Sequence, residues 1–341
     1  MIRHLAAVAT AAALIATAAP TAQAATTGPT TTCTNKIVLK LPDDSLPGSS
    51  QATTADPSGR YILGAANRPG SMHGWPVLWV DGEPRWLGLP NGSESSATSV
   101  VEGGFVQGST YVDDGEQYWI YSIQSDSYQI LKNTSDVRIS YLTRMNKRHD
   151  ITGVAWDKAF EHRIPFIWPA GGQPRLLPVP SQSDTQYVDD LSDQGRVIAR
   201  VAASDTSDYT SYVWESWNQQ PIKLSGVHQE SVWARDIEGN WIGGGETDGE
   251  DVTGLLWNDQ SSRIQQLEEG VIDLNTSIDA VTAGAFGPFG DYPSMIIRSD
   301  GAKITFPEGT LLQHIFERGS QYTAAGYSVA TGETVPVVFA C

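Results

Sequence analysis

The sequence predicts an all-β fold, a seven-bladed β-propeller whose blades are four-stranded antiparallel sheets. The chain consists of short apolar runs separated by Gly, Pro, Asp and Ser, and no segment keeps a 3.6-residue period for three turns. Aromatic or apolar residues also recur at intervals of about 43 residues, a period typical of propeller blades. The recurring residues are Trp79, Tyr121, Trp168, Trp214, Trp257, Ile297 and Phe339.

The first repeat unit shows how four strands are predicted within one blade. Strand A ends at the turn Asp56-Pro-Ser-Gly59, and strand B follows as Arg60-Tyr-Ile-Leu-Gly64. Strand C is the apolar run from Pro76 to Val80, and strand D ends at Leu89-Pro90. An Asp three residues before a Gly is the preference of a type I turn. We therefore interpret Asp56 as a turn-forming residue and not as a catalytic one.

The same unit recurs along the chain with varying clarity. The third unit has Ile151-Thr-Gly153, the fourth Ser192-Asp-Gln-Gly195 and the fifth Asp236-Ile-Glu-Gly239. The second, sixth and seventh units are weaker. Helical repeats can have a similar period, but the density of Gly and Pro inside each unit argues against them.

The repeats resemble those of secreted bacterial propellers of the HAF-repeat type. The shared feature is the step Asp-x-x-Gly-x-(Val/Ile)-x-Gly followed by an apolar run that ends in Trp, although the His-Ala-Phe triplet itself is absent. The units are similar in length to WD repeats, yet no Trp-Asp dipeptide closes strand C in the expected way. The resemblance implies a fold and an exported location, and it implies no single activity.

The first 24 residues are predicted to be a secretory signal peptide. Arg3 and His4 precede an apolar run from Leu5 to Ala19, and Ala22-Gln23-Ala24 forms a cleavage site with small residues. The apolar run is short for a membrane span, which needs about 20 residues. We therefore expect an extracellular protein with a signal peptide over 1–24, an N-terminal segment over 25–35 and a single propeller domain over 36–341.

The two ends of the chain are predicted to meet in the last blade. The seventh unit stops after strand C, and the segment Lys36 to Pro42 resembles the first unit's strand D, Arg85 to Pro90. Superposing these repeats places both Cys33 and Cys341 at the turn between strands C and D. We expect the N-terminal strand to complete the blade and a Cys33–Cys341 disulfide to close the ring. The alternative is a pair of free thiols.

Charge and missing motifs limit the functional classes. The chain has 39 acidic and 22 basic residues and a net charge of −17, which disfavours nucleic acid and anionic membranes as partners. No nucleophile elbow, phosphate loop, dinucleotide glycine pattern or zinc-protease motif occurs. The histidines lack metal-ligand spacing. We therefore expect no metal and no cofactor, and we expect a monomer.

Acidic and aromatic residues cluster in the predicted loops between strands B and C. These loops emerge on one face of a propeller, so that face is expected to be acidic and to carry exposed rings. The candidate ligand-binding residues are Tyr111, Asp113, Asp114, Glu116, Asp205, Asp208, Tyr209, Glu246, Asp248 and Asp251. The simplest interpretation of these acids is a solvated rim that keeps an exported protein soluble.

Two functions remain open from the sequence. One is a binding module, since rings stack on sugars and carboxylates accept hydrogen bonds from hydroxyls or pair with cations. Its ligand would be a glycan, a basic peptide or another cationic molecule. The other is a carbohydrate-active hydrolase or lyase that uses two carboxylates at the channel mouth. We favour the binding module.

Overall fold

The predicted seven-bladed propeller is confirmed in the computed structural model. The residues described are 23–24, 28–71, 73–157, 159, 161–180, 183–203, 209–227, 231–248, 251–258, 263–269, 271–276, 282–286, 294–298, 302–318, 321–330 and 333–341. These residues form strands, turns and bends, and no helix occurs among them. The strands form seven antiparallel blades that follow one another in sequence order, and backbone pairing joins the first and last blades into one eight-stranded sheet.

The N-terminal region and the first four blades contain nineteen strands in the described part of the chain. The N-terminal strands are β1 (Gln23–Ala24), β2 (Thr30–Thr32) and β3 (Lys36–Val38). Blade 1 consists of β4 (Leu46–Ala55), β5 (Tyr61–Asn67), β6 (Gly74–Val80) and β7 (Glu83–Trp86). Blade 2 consists of β8 (Glu94–Val101), β9 (Phe105–Val112), β10 (Gly115–Ser122) and β11 (Ser127–Leu131). Blade 3 consists of β12 (Arg138–Met145), β13 (Ile151–Trp156), β14 (Arg163–Trp168) and β15 (Arg175–Leu176). Blade 4 consists of β16 (Ser183–Leu191), β17 (Val197–Ala203), β18 (Tyr209–Trp214) and β19 (Ile222–Lys223).

The last three blades complete the ring. Blade 5 consists of β20 (Ser231–Glu238), β21 (Trp241–Asp248), β22 (Asp251–Asn258) and β23 (Arg263–Glu269). Blade 6 consists of β24 (Val271–Thr276), β25 (Thr282–Phe286), β26 (Met295–Ile297) and β27 (Lys303–Thr305). Blade 7 consists of β28 (Thr310–Arg318), β29 (Gln321–Ala330), β30 (Glu333–Ala340) and the N-terminal strand β3.

The turn after strand A uses its Asp as the sequence suggests. Asp56 is buried, and its carboxylate accepts the backbone N–H of Ser58 at 3.2 Å and that of Tyr61 at 2.8 Å. In blade 4 the hydroxyl of Ser192 accepts the backbone N–H of Arg196 at 3.1 Å. These contacts satisfy backbone donors inside the turn, which is the usual function of Asp and Ser there.

The repeated glycine of strand B lies opposite a β-bulge in strand A. A Cβ atom on Gly64 would lie 2.0 Å from the carbonyl oxygen of Gln51, and one on Gly244 would lie 2.1 Å from that of Trp233. The pairing register shifts at the same place, between Ala52 and Thr54 in blade 1 and between the matching residues of blade 5. The glycine therefore permits a close approach of two backbones, which explains its recurrence.

In blades 1, 4 and 5 the tryptophan of strand C joins the blade to the preceding one. Trp79, Trp214 and Trp257 are buried and pack against side chains of the neighbouring blade. Their indole N–H groups donate to backbone carbonyls after strand D of that blade: Trp79 to Lys40 at 2.6 Å, Trp214 to Pro178 at 2.7 Å and Trp257 to Ser225 at 2.8 Å. A buried indole thus gains apolar contact and a hydrogen-bond partner together.

The predicted closure of the ring is confirmed. β3 pairs antiparallel with β30, with Lys36 opposite Phe339 and Val38 opposite Val337. Cys33 and Cys341 form a disulfide with their Cα atoms 5.6 Å apart, across a sequence separation of 308. The last blade therefore takes its outer strand from the start of the chain.

The segment before Lys36 also contacts the propeller. β2 adds in parallel to β27 at the outer edge of blade 6, and β1 adds to β23 of blade 5 in the same way. The predicted signal peptide, 1–24, otherwise lies outside the described residues. In the described part of the chain, no helix is long and apolar enough to cross a membrane.

Candidate functional site

A cavity of about 320 Å³ occupies one mouth of the central channel. It is lined by the C-terminal ends of strand A and the turns that follow them in six blades, β4, β8, β12, β16, β20 and β28. Its size is at the lower end of the range for small-ligand sites, which is about 300–1,000 Å³. This mouth lies on the face formed by the turns between strands A and B.

The wall of this cavity includes a ring of side chains that occupy the same position in strand A of six different blades. The position follows the strand A bulge, where the register shifts in each of the six blades. The ring consists of Thr54, Ser99, Arg144, Asp190, Asp236 and His314. The bulge turns one extra residue of each innermost strand toward the channel, so the fold itself brings these unlike side chains together.

Two ion pairs tie the blades together at this mouth. Nε of Arg144 lies 3.2 Å from Oδ1 of Asp190, while the other oxygen of Asp190 accepts the backbone N–H of Ile237 at 2.9 Å. Nζ of Lys147 lies 2.7 Å from Oδ2 of Asp193. Both basic side chains that line the cavity are therefore already engaged by carboxylates.

The remaining charge of the cavity is negative. Among the described residues, five carboxylates and two basic side chains line it, and Glu102 and Glu238 lie outside the two ion pairs. Burial raises the pKa of Glu238 to about 7, and the nearby carboxylates of Asp193 and Asp190 add to this effect. A hydrogen bond from the Gly239 backbone and the charge of Lys147 oppose the rise in pKa without cancelling it. Glu238 is thus a carboxyl group that holds its proton more tightly, first because it is buried and second because other carboxylates lie near it.

His314 forms an uncharged part of the wall. Burial lowers its pKa to about 4, and the nearby Arg144 guanidinium adds to this effect. The imidazole is therefore neutral at physiological pH and does not offset the carboxylates. Among the described residues, none makes a hydrogen bond to its buried Nδ1 atom.

The predicted acidic residues of blade 2 lie at the opposite end of that blade from the cavity. Asp113 and Asp114 form the exposed turn between β9 and β10. Tyr111 and Glu116 pair across the same hairpin, and both are exposed. A carboxylate oxygen of Glu116 accepts the Tyr118 hydroxyl at 3.0 Å. These groups form an accessible acidic tip.

The predicted ligand-binding residues of blades 4 and 5 do not share one environment. Tyr209 is half-buried at the start of β18, and Asp205 and Asp208 lie outside the described residues. Glu246 is only 1% exposed, and its carboxylate lies against Gly226, where an added Cβ would be 2.0 Å from Oε2.

Asp248 and Asp251 of the predicted set lie opposite each other across the β21–β22 hairpin, and nothing is described of their side chains. Of the predicted ligand-binding residues whose side chains the structure describes, Tyr111, Asp113, Asp114, Glu116, Tyr209 and Glu246, none lines the cavity. In the described ranges, no group of three or more His, Cys, Asp or Glu side chains has the arrangement of a metal site.

Sequence reasoning missed the channel site because its residues differ from blade to blade. Arg144, Asp190 and His314 share one structural position but no chemistry. Stacking the repeats by their strand A bulges, and not by their glycines and tryptophans alone, aligns these side chains. The sequence signal that could locate this site is therefore a polar or charged residue near the end of strand A. It lies two positions after the strand A residue that pairs with the glycine of strand B.

Comparisons with known proteins support the fold. No protein-family model and no curated protein sequence matches the chain. The chain is similar in structure to the β-propeller domain of the trilobed protease from Pyrococcus furiosus, described as having an open velcro topology. The TM-score is 0.59 at 10% identity, over 86% of this chain and 94% of that one.

Two further solved structures are similar over most of their length. Oligogalacturonate lyase from Vibrio parahaemolyticus matches with a TM-score of 0.60 and 10% identity, over 89% of this chain and 93% of the other. The WD40 repeats of RRP9 match with a TM-score of 0.56 and 15% identity, over 89% and 97%. At such low identities, these similarities establish a β-propeller fold and no activity.

Proposed function

We propose that this chain is a secreted binding module that holds a cationic group at the channel mouth lined by strand A. The supporting observation is the excess of carboxylates in that cavity, above all Glu238 with its pKa raised to about 7. A ligand ammonium or guanidinium would relieve the repulsion among these acids. The proposed ligand is a basic peptide or protein segment that inserts a Lys or Arg side chain.

The size and the electrostatics of the cavity support this ligand class. A volume of about 320 Å³ accommodates one long side chain and excludes a folded partner. Arg144 and Lys147 are each neutralised by a carboxylate, so they do not oppose an incoming cation. The net charge of −17 would also attract a basic partner over a distance of about one Debye length, ~8 Å at physiological ionic strength.

The proposed extracellular location agrees with the covalent chemistry of the chain. Cys33 and Cys341 form a disulfide, and such bonds persist mainly in oxidising compartments. The sequence pattern over 1–24 supports export independently. Recovery of the mature protein from the medium, with Ala25 as its first residue, is the expected outcome of expression with the native leader.

The second candidate is a hydrolase or lyase at the same mouth. A carboxylic acid with a pKa near 7 is suited to donate a proton, and Asp193 supplies a second carboxylate close by. One structurally similar protein is an oligogalacturonate lyase, and others include peptidases. A screen of glycosidic and peptide substrates distinguishes this candidate, because it predicts turnover that Glu238→Gln abolishes.

Calorimetric titration of the mature protein with tetralysine tests the binding proposal. Tetralysine acetylated on every side chain is the matched uncharged probe. Tetralysine should bind and the acetylated peptide should not, and affinity should be higher at pH 8 than at pH 5.5 because Glu238 ionises between them. Asp193→Asn/Glu238→Gln should weaken binding by about tenfold or more, which corresponds to 1.4 kcal/mol.

A control variant on the opposite face separates the two candidate surfaces. Asp113→Asn/Asp114→Asn removes the same number of charges from the exposed hairpin of blade 2. It should leave tetralysine affinity unchanged. If this control loses binding while the channel variant keeps it, the ligand binds the acidic loop face and the channel proposal is wrong.

A further inference from the structure

A second concave surface lies outside the channel, in a groove between blades 3 and 4. Its volume is about 530 Å³, larger than that of the channel cavity. The strand A–B and C–D turns of both blades form its walls. Lys147 lines the channel and the adjacent Arg148 lines the groove, so the two concavities are neighbours on one face. Their linings share no residue.

An exposed arginine and an exposed tryptophan contact each other in this groove. The guanidinium carbon of Arg175 lies 4.1 Å from the centre of the Trp217 ring, and 44% of Trp217 remains exposed. In the described part of the chain, Arg175 forms no ion pair with a carboxylate. Stacking on the indole orients the guanidinium and leaves its edge N–H groups available to a ligand.

The carboxylates of the groove are already satisfied by the protein. Asp150 accepts Nη2 of Arg148 at 2.6 Å and the backbone N–H of Ala170 at 3.0 Å. Glu215 receives Nε and Nη2 of Arg196, both at 2.9 Å, in a bidentate pair. Neither acid therefore adds a free negative charge. The charged groups that remain to recognise a ligand are the guanidinium N–H donors of arginine.

Arg148 supplies a second set of donors. Its side chain is half exposed, and only its Nη2 atom contacts Asp150. Gly195 borders the guanidinium so closely that an added Cβ would lie 2.3 Å from Nη2. Because Gly195 has no side chain, there is room for the Arg148 guanidinium in the groove. Two arginines thus line one concavity in a chain of strongly negative net charge.

We propose that this groove binds an acidic saccharide, with Arg175 and Arg148 donating to the carboxylate of a sugar-acid unit beside Trp217. A guanidinium fork matches a carboxylate in geometry, and an indole ring provides a flat apolar surface for the C–H face of a sugar. The groove is large enough for one or two sugar rings. This site is separate from the proposed cation site in both position and charge.

Titration with a glucuronic acid oligosaccharide and its neutral glucose counterpart tests this site. Binding is followed by calorimetry and by the fluorescence of tryptophan. The acidic oligosaccharide should bind at least about tenfold more tightly than the neutral one, since hydrogen bonds to a charged carboxylate are stronger than those to a neutral hydroxyl. Arg175→Gln and Trp217→Leu should each lower that affinity by about tenfold, and both alter exposed side chains that the fold does not require.

Matched variants make the result specific. Arg85→Gln removes an exposed arginine from blade 1 and should leave saccharide binding unchanged. Glu238→Gln should also leave it unchanged, so failure of the channel proposal does not affect this test. Equal affinity for the neutral oligosaccharide, full affinity in Arg175→Gln, or equally tight binding of inorganic phosphate would each overturn the assignment.

Discussion

Removal of the Cys33–Cys341 disulfide should lower the stability of the propeller without changing its fold. The bridge spans a sequence separation of 308, almost the whole length of the ring. In the chain-entropy description, a loop of that length restricts the unfolded state by about 5–6 kcal/mol at 25 °C. Measured values are often smaller, since residual structure in the unfolded chain reduces the effect. We therefore expect a loss of about 3–5 kcal/mol in Cys33→Ala/Cys341→Ala.

The native state should tolerate this double variant because other contacts also close the ring. β3 still pairs with β30, and the indole of Trp79 still donates to the Lys40 carbonyl. With an unfolding entropy of about 2.1 cal/mol/K per residue, a loss of 4 kcal/mol corresponds to about 6 °C in Tm for this size.

Thermal and guanidinium denaturation of the mature protein measure the effect. The reduced wild-type protein is the matched control and should unfold at the same midpoint as the double alanine variant. Circular dichroism before unfolding checks that the sheet content is unchanged. Identical midpoints for the oxidised wild type and the variant would refute the argument that the bridge constrains the unfolded chain.

Three further substitutions test individual parts of the structure. The pKa of Glu238 is raised to about 7, so the native state holds a proton that the unfolded state releases between about pH 4.5 and pH 7. Stability therefore falls as pH rises through this window, and Glu238→Gln should be more stable than wild type by about 1–3 kcal/mol at pH 8 and equal to it at pH 4. Gly244→Ala should destabilise by about 2–4 kcal/mol because its Cβ would collide with the Trp233 carbonyl, whereas Gly172→Ala at an exposed turn should change stability by under about 1 kcal/mol. Trp214→Phe should cost about 1–3 kcal/mol, since the Pro178 carbonyl loses its donor. Urea denaturation at fixed and varied pH measures all three effects, and a variant with the stability of the wild type would contradict the argument made for its residue.

The blades and the closure of the ring could be predicted because they depend on positions that few other residue types can occupy. The strand B glycine is required where two backbones approach, and the strand C tryptophan is favoured where a buried ring also needs a hydrogen-bond partner. The cysteines were informative because only two occur and the repeat register places both at one turn. The glycine and tryptophan requirements recur in several blades, so the repeat pattern survives the divergence of single copies.

The channel site could not be predicted from the same pattern. The bulge in strand A shifts the alternation of inward and outward residues by one position, so the simple period-two pattern fails at Arg144 and Asp190. The side chains that line the channel mouth differ from blade to blade. The charge of the cavity follows from charged side chains that several blades contribute, a combination that no single repeat contains.

The acidic loops illustrate a different limit. The residues around Asp113 and Asp248 extend the hairpins between strands B and C, and their exposure or burial depends on packing between blades. Glu246 is buried although Asp248, Glu250 and Asp251 follow it closely in sequence. Composition alone does not distinguish a solvated tip from a packed carboxylate, and the function of these residues stays a prediction.

The pKa of Glu238, measured directly, is the most decisive test of the proposed channel site. Carbon-13 NMR of the glutamate carboxyl groups, assigned by comparison with Glu238→Gln, follows its titration in the free protein and with saturating tetralysine. We predict a pKa of about 7 in the free protein. Tetralysine should lower this pKa by about one unit or more, since an adjacent cation favours the ionised form. A value near 4.5 in the free protein, or no change with the peptide, would contradict a crowded carboxylate cavity that binds a cation.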